Sequence, residues 1–291
     1  MHHPSGEFPC FFVTDLHGRV ERYEKLFAQV AEERPQLLLL GGDLLPRASY
    51  YARDSEDHPD FVQDYLAPAF RRLRDALGES YPAVFLILGN DDPRVVEPAF
   101  MDSIPGLWQY LHGRKAAFRN FCFYGYACVP PTPFLLKDWE RYDVSRYVDP
   151  GCISPEEGQR TVPADPGDVK WGTIQNDLAI LVNGDPLQRG IFLMHTPPYD
   201  TPLDRAALDG KSYEHVPLDV HIGSIAVRRF IEQKQPLLTL HGHVHESTRL
   251  TGEWKTQIGR TVCINGAHDG PELAIVHFNP ESPAQAMREL I

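Results

Sequence analysis

The chain has 291 residues, 42% of them hydrophobic, and a formal net charge of −12 at pH 7. This apolar content suffices for one large α/β domain, whereas the acidic balance argues against a protein that follows a nucleic-acid backbone, which needs clustered Lys and Arg. The first residues lack a basic segment followed by an apolar one, and no apolar run approaches the roughly 18 residues of a membrane span, so we expect neither secretion nor membrane insertion.

Short apolar runs alternate with segments of helical spacing along much of the chain. Buried strands are predicted at Phe8–Thr14, Leu37–Leu40, Val84–Leu88, Ile191–Met194 and Leu237–Leu240. Helices are predicted at Arg19–Glu33, Asp60–Leu77 and Ser224–Gln235. Repetition of strand, helix and strand indicates an α/β fold with parallel pairing in its first half.

The middle and the end of the chain lack this regular alternation of strands and helices. Residues 106–129 suggest antiparallel strands, while 130–172, rich in Pro, Asp, Gly and Tyr, are predicted to be a long excursion from a single domain spanning 1–291. Such an excursion either caps the site and shapes the substrate pocket or decorates the surface. Three late pieces are predicted to form a terminal meander: Glu253–Gln257, Thr261–Ile264 and Leu273–Phe278.

Polar side chains with metal-binding atoms follow each of the five predicted buried strands. In chain order they are Asp15, His17, Asp43, Asn90, His195, His243 and His245. Because the carboxyl ends of strands in open α/β sheets face the ligand crevice, these side chains can converge on one site. Taken singly, Asp15 reads as a helix cap or turn residue and His195 as a loop histidine. The joint pattern favours a metal site, with two imidazoles on the same side of an extended segment at His243 and His245.

These ordered motifs resemble those of the calcineurin-like metallophosphoesterase superfamily. The motifs are Asp15-x-His17, Gly42-Asp43, Gly89-Asn90-Asp91-Asp92, His195 and Gly242-His243-Val244-His245. The resemblance spans 15–245 and implies a four-layer α/β/β/α sandwich of two mixed sheets flanked by helices. It also implies one metal held by Asp15, His17, Asp43 and His245, and another held by Asp43, Asn90, His195 and His243. Asp43 would bridge the two.

The activity implied is hydrolysis of a small phosphomonoester or phosphodiester by a hydroxide that bridges two divalent ions. Two ions roughly 3.5–4 Å apart lower the pKa of a bridging water and neutralise the charge that develops during displacement. Ligation by His, Asp and Asn suits Mn, Fe, Zn, Co or Ni better than Mg or Ca. The alternative is a non-catalytic metal-binding or protein-interaction module on the same fold, which the complete ligand set disfavours. The acidic charge disfavours a nuclease.

Asn90, Asp91 and Arg94 are the candidate catalytic residues. Asp91 stands where many members of the superfamily have a histidine that protonates the leaving oxygen. A carboxylate beside two cations has a lowered pKa and is a poor general acid, so we expect weak leaving-group assistance. Its alternative role is to cap a helix that begins at Pro93. Arg94 either contacts a substrate oxygen or is a surface arginine.

Several other residues have two readings. His241 adjoins the ligand pair but should point to the opposite face, which favours core packing. Tyr199, Trp139 and Tyr142 either line a pocket for an organic group or pack inside the excursion. The five cysteines are odd in number and never form a Cys-x-x-Cys pair, so we expect neither a disulfide framework nor a thiolate zinc site. A reducing cytoplasm is the expected compartment.

Overall fold

Two six-stranded sheets form the centre of the fold in the computed structural model, which describes residues 8–46, 60–101 and 106–291. The strands are β1 (Cys10–Val13), β2 (Leu37–Gly41), β3 (Ala83–Ile87), β4 (Gln109–Tyr110), β5 (Lys115–Phe118), β6 (Phe121–Tyr126), β7 (Gly190–Met194), β8 (Ser212–Tyr213), β9 (Val216–Pro217), β10 (Leu238–His241), β11 (Lys255–Ile258), β12 (Thr261–Asn265), β13 (Ala274–Phe278) and β14 (Met287–Leu290). The helices are α1 (Val20–Glu33), α2 (Ala67–Leu77), α3 (Glu97–Met101), α4 (Pro166–Trp171), α5 (Ile174–Val182), α6 (Ile225–Lys234) and α7 (Ser247–Thr251).

Both sheets are mixed. The first has the order β14-β13-β1-β2-β3-β4 and the second β11-β12-β10-β7-β6-β5. In the first sheet the neighbours β1, β2, β3 and β4 pair in parallel, and in the second sheet the neighbours β12, β10, β7 and β6 do so. The remaining strands of the two sheets, β13, β14, β11 and β5, pair antiparallel with their neighbours. This confirms the predicted α/β sandwich of two mixed sheets flanked by helices.

Alternation along the strands builds two separate apolar layers. In β1, Phe12 packs in the cluster between the sheets, together with Leu39 of β2 and Leu240 of β10. Its neighbours Phe11 and Val13 belong to the cluster under the helices. Successive strand residues point to opposite faces, and each such buried side chain contributes about 1.5–3 kcal/mol. The strands are therefore covered on both faces, which explains their nearly continuous apolar sequences.

The predicted helix at Asp60–Leu77 is interrupted in its register. Phe61–Leu66 is a π-helix, and α2 follows directly. Asp60 caps the π-helix through the amides of Val62 and Gln63, and the Ala67 amide bonds to the Val62 carbonyl, five residues back. Pro68 has no amide hydrogen, so a change of register beside it loses no hydrogen bond there.

The predicted terminal meander is wrong in its connectivity, although its strands exist. β11 and β12 pair antiparallel in the second sheet, but β13 crosses to the first sheet and lies beside β1. β14, which the sequence analysis missed, extends that edge. Alternating patterns identify a strand, but they carry no information about which of two sheets receives it.

Residues 130–172 fold against the core through buried polar contacts. Lys137, fully buried, donates to the Thr132 carbonyl at 2.8 Å and to the Glu140 carboxylate at 2.5 Å. Glu140 also accepts from the amide and hydroxyl of Thr132 at 2.7 and 2.5 Å. Trp139 reaches out of this segment and donates to the Asp92 carbonyl at 2.8 Å. The excursion is thus fastened to the loop that carries Asn90.

Among the described residues, no helix is both long enough and apolar enough to cross a membrane. Residues 1–7, on which part of the expectation about secretion rests, lie outside the described ranges.

We predict that Lys137→Met destabilises the fold by about 3–5 kcal/mol, because it leaves the Glu140 carboxylate buried without its cation. Burial already raises the pKa of Glu140. Protonation at low pH removes the lone charge, so the loss should be smaller at pH 5 than at pH 8. Urea unfolding at the two pH values measures it. Lys137→Met combined with Glu140→Gln should recover part of the stability, and equal losses in the single and double variants would contradict this account.

Candidate metal centre

The seven predicted ligands lie at the carboxyl ends of five neighbouring parallel strands. Asp15 and His17 follow β1, Asp43 follows β2 and Asn90 follows β3, all in the first sheet. His195 follows β7, and His243 with His245 follows β10, both in the second sheet. Hydrogen bonds join the two edges: the His243 amide donates to Asp15 Oδ1 at 3.1 Å, and His195 Nδ1 lies 2.8 Å from the Gly41 carbonyl oxygen. The two sheets therefore present their ligands to one space.

Four ligands have left-handed backbone conformations. The φ angles of Asp15, His17, Asp43 and His243 are 57°, 48°, 51° and 70°. This region is uncommon for residues other than glycine, although Asp and His enter it more readily than most. Such conformations cost about 1–3 kcal/mol each and persist where the surrounding structure fixes them. Here they turn the side chains sharply at the strand ends and into the shared space.

The first group of ligands is formed by Asp15, His17, Asp43 and His245. One ligand atom from each lies within 4.8 Å of the others. His17 Nε2 is 3.2 Å from His245 Nε2, and His245 Nε2 is 2.9 Å from Asp15 Oδ1. Two imidazole nitrogens and two carboxylates that face each other so closely are a donor set for a divalent cation.

The second group of ligands is formed by Asp43, Asn90, His195 and His243. Asn90 Oδ1 lies 2.7 Å from His243 Nδ1 and 3.2 Å from His195 Nε2. His195 Nε2 is also 3.3 Å from Asp43 Oδ2. Because the Gly41 carbonyl can only accept a hydrogen bond, His195 donates through Nδ1, and a metal that displaced the proton from Nε2 would be coordinated there, as in most metal-binding histidines.

Asp43 belongs to both groups. Its Oδ2 lies 3.9 Å from His17 Nε2 and 3.3 Å from His195 Nε2. Its Oδ1 accepts from the Asp91 amide at 2.8 Å. One carboxylate therefore stands between the histidines of the two groups.

The site concentrates negative charge in the protein interior. Burial raises the pKa of Asp15 and of Asp43, but the nearby imidazoles outweigh burial and lower both, so both carboxylates are ionised. Burial alone would lower the pKa of His195, yet Asp43 raises it to about 10. For His243, burial and the charge of His195 lower the pKa to about 3. The carboxylates thus draw positive charge into the site, which a divalent cation supplies more fully than a proton.

Asp92, which the sequence analysis left without a role, holds the two central loops together. It is fully buried and accepts from the amides of Leu44 and Leu45 at 3.1 and 2.8 Å and from the Gly89 amide at 2.9 Å. It thereby fixes the segment after Asp43 to the segment before Asn90. The sequence shows only that an acidic residue stands two places after Asn90, and this position alone does not predict which amides it binds.

Asp91 lies beside the candidate ligands, since its amide donates to Asp43, whereas Arg94 contacts Glu97 and the excursion. Asp91 Oδ2 is 3.7 Å from His17 Nδ1, too far for a hydrogen bond. The short 3₁₀ turn that starts at Arg94 has no side-chain cap from its N-cap residue, Pro93, and the Arg94 amide bonds to Asp138 instead. The Arg94 guanidinium pairs with Glu97 at 3.1 Å and lies over the Trp139 ring.

The aromatic residues and His241 have mostly structural surroundings. His241 is fully buried, with Nδ1 2.8 Å from the Thr196 carbonyl oxygen and Nε2 2.8 Å from Thr239 Oγ1, as expected for core packing. Trp139 and Tyr142 are also buried; Tyr142 donates to Glu156 within the excursion, whereas Trp139 packs outside it against His112 and Arg94. Tyr199 donates to Asp219 at 2.6 Å.

An open cleft of ≈ 330 Å³ adjoins the first ligand group. It is lined by His17, Arg19, Arg22, His245, His268 and Asp269. Arg22 also supports the site from below, since its Nη1 donates to the Asp15 carbonyl at 2.7 Å and its Nη2 to the Gly270 carbonyl at 2.6 Å. Two of the candidate ligands, His17 and His245, are therefore open to this cleft.

Comparison with known proteins agrees with the fold. The family model described as calcineurin-like phosphoesterase matches residues 8–247. The structure is similar to the protein TT1561 of Thermus thermophilus, with a TM-score of 0.55 and 16% identity, covering 98% of this chain and 99% of that one. It is also similar to a dimetal phosphatase from Danio rerio, with a TM-score of 0.50 and 13% identity, covering 97% and 95%. The search of curated proteins found no match.

We predict that Gly89→Ala weakens Mn²⁺ binding at least about tenfold. An added Cβ would lie 2.3 Å from Asp43 Oδ1 and 2.7 Å from His195 Cε1, so the shared carboxylate must move. Calorimetric titration of the chelated protein with Mn²⁺ measures the change. Gly184→Ala is the control for a general loss of stability, because the φ of 80° at this exposed glycine strains an alanine while its Cβ meets nothing within 4 Å. Wild-type affinity in Gly89→Ala would show that the close approach is unimportant.

Proposed function

Because the chain belongs to the calcineurin-like phosphoesterase family, we propose that it is a dinuclear metal-dependent hydrolase of a small phosphomonoester or phosphodiester. The observation that carries this proposal is the position of Asp43 between two groups of ligands, each with its own histidines. One carboxylate common to two sites is what two neighbouring cations require. The proposed metals are two divalent ions from the group Mn, Fe, Zn, Co and Ni.

The donor set fits two such ions. Asp15, His17, Asp43 and His245 would hold one, and Asp43, Asn90, His195 and His243 the other. When bound, the pair would supply an activated water nucleophile and neutralise charge on the phosphoryl group. The chain's own residues set the geometry. The Gly41 carbonyl orients the imidazole of His195 by accepting from Nδ1, and the Asp92 carboxylate holds the loops of Asp43 and Asn90 together.

Asn90 is the proposed catalytic residue with the most direct support. Its Oδ1 faces the imidazoles of His195 and His243, and its Nδ2 lies 3.4 Å from Asp91 Oδ1. Asp91 brings no ring N–H to this place, so we propose that the leaving group departs with little protonation by the protein. Substrate contact by Arg94 stays a prediction, since its contacts in the structure are Glu97 and Trp139.

The alternative function, a non-catalytic metal-binding or protein-interaction module on the same fold, has less support. A descendant that had lost its chemistry would be free to lose ligands, yet every predicted ligand is present. Four of them also keep left-handed backbone conformations, which have an energetic cost. A protein-interaction surface elsewhere on the chain would not explain that cost.

We predict that His245→Asn lowers hydrolysis of p-nitrophenyl phosphate or bis-p-nitrophenyl phosphate at least about a hundredfold. The substitution removes an imidazole that lies 2.9 Å from Asp15 and 3.2 Å from the His17 ring. Activity with Mn²⁺ added to the chelated protein is the measurement, and metal content is recorded on the same samples.

His215→Asn is the matched control for this variant. His215 is exposed on the turn between β8 and β9, with a φ of 70° that asparagine adopts readily. It should keep wild-type activity and metal content. Equal activity in His245→Asn and His215→Asn would exclude the proposed catalytic site.

We also predict that hydrolysis of substituted phenyl phosphates slows steeply as the pKa of the leaving phenol rises. The expected rate difference between p-nitrophenyl and phenyl phosphate is at least about a hundredfold, the usual contribution of a positioned acid that this site lacks. In Asp91→His the dependence should become shallower. A wild-type rate that hardly varies across the substituted phenyl phosphates would contradict the proposed role of Asp91.

A further inference from the structure

The cleft beside the first ligand group has an uneven charge balance. Its only acidic lining residue, Asp269, is paired with Arg249, whose Nε lies 2.6 Å from Asp269 Oδ2. The imidazole of His268 is likewise paired, 2.9 Å from Glu272 Oε2. What remains in the lining, besides the metal ligands, are the guanidinium groups of Arg19 and Arg22.

Neither guanidinium has a salt-bridge partner in the part of the chain that the structure describes. Within residues 8–46, 60–101 and 106–291, no carboxylate forms a salt bridge with Arg19 or Arg22, and Arg22 Nε, although buried, has no hydrogen-bond partner. Arg22 donates only to the neutral carbonyls of Asp15 and Gly270.

The two guanidinium groups differ in their surroundings, since Arg22 is buried and Arg19 is exposed. Both line the cleft, and the buried Arg22 has lost hydration without gaining a carboxylate in a salt bridge among the described residues, which is unfavourable for stability alone. Their combination with a free cleft volume of ≈ 330 Å³ suits an anion that enters from solvent. Arginine is the residue best matched to phosphate, which it binds through two parallel hydrogen bonds.

We propose that Arg19, supported by Arg22, binds a second phosphate group of the substrate, so that the enzyme prefers compounds carrying two phosphates over simple monoesters. The inference rests on the proposed function, in which the first phosphate is held at the ligand groups. His17 and His245 belong to the first ligand group and also line the cleft, so the two phosphates of one small molecule can occupy both places.

Arg19 is the residue through which this can be tested. It is exposed, and its backbone, with φ −75° and ψ 100°, is one that alanine adopts without strain. As the N-cap residue of α1 it makes no side-chain capping bond, so its removal should not weaken the helix. Arg22 is unsuitable, because its loss would disturb Asp15.

The experiment compares two non-hydrolysable probes, propane-1,3-diphosphonate and propylphosphonate, which differ only in the second anionic group. Isothermal titration calorimetry on the Mn²⁺-loaded full chain gives a dissociation constant for each. The wild type should bind the diphosphonate about tenfold more tightly than the monophosphonate. In Arg19→Ala that ratio should fall to about two or less, and Arg19→Lys should retain part of it because it keeps the charge without the planar fork.

Arg72→Ala is the charge-matched control, since Arg72 is exposed on α2 and lines no part of the cleft. It should keep the wild-type ratio. A wild type without preference for the diphosphonate, or an unchanged ratio in Arg19→Ala, would overturn the inference. Hydrolysis of p-nitrophenyl phosphate, measured separately, distinguishes the two levels. If p-nitrophenyl phosphate is hydrolysed but the affinity ratio is unchanged in Arg19→Ala, the second phosphate site is excluded and the proposed function stands. If the affinity ratio depends on Arg19 but no hydrolysis occurs, the proposed function is excluded and the phosphate site stands.

Discussion

The position of the Asp43 carboxylate is the constraint on which the rest of the site depends. It stands between His17 and His195, and so between ligands that come from different sheets. Holding a buried carboxylate there requires compensating hydrogen bonds and close backbone packing. The Asp91 amide supplies one such bond, and Gly89 leaves room for the carboxylate where any larger residue would collide with it.

Both sheets end their parallel strands at the same edge of the sandwich, so residues from both sheets can surround the Asp43 carboxylate. Apolar side chains between the sheets, such as Phe12 and Leu240, set the distance between the edges. Polar contacts then fix the loops beyond them. Asp92 joins the Asp43 and Asn90 loops, and Trp139 joins Asp92 to the excursion. The candidate ligands are thus positioned by several layers of structure, as precise metal coordination would need.

The strand ends at which the seven candidate ligands lie could be predicted, because a buried strand can be recognised from local pattern. Their conformations could not be predicted in the same way. The left-handed backbone at Asp15, His17, Asp43 and His243 is imposed by packing across the two sheets, and no local propensity favours it in a run. Asp92 was missed for a related reason, since its partners Leu44 and Leu45 are distant in the chain. The sheet assignment of β13 likewise depends on tertiary pairing that a strand pattern does not encode.

The most direct test of the account is the number of metal ions that one chain binds. Native mass spectrometry of the chelated protein, titrated with Mn²⁺, counts them without relying on any substrate. The account predicts two ions per chain in the wild type. Because Asp43 is common to both ligand groups, Asp43→Ala should weaken both sites, whereas Asn90→Ala should weaken one and leave the other. A wild type that saturates at a single ion, or an Asp43→Ala variant that still binds two, would contradict a dinuclear centre built around this carboxylate.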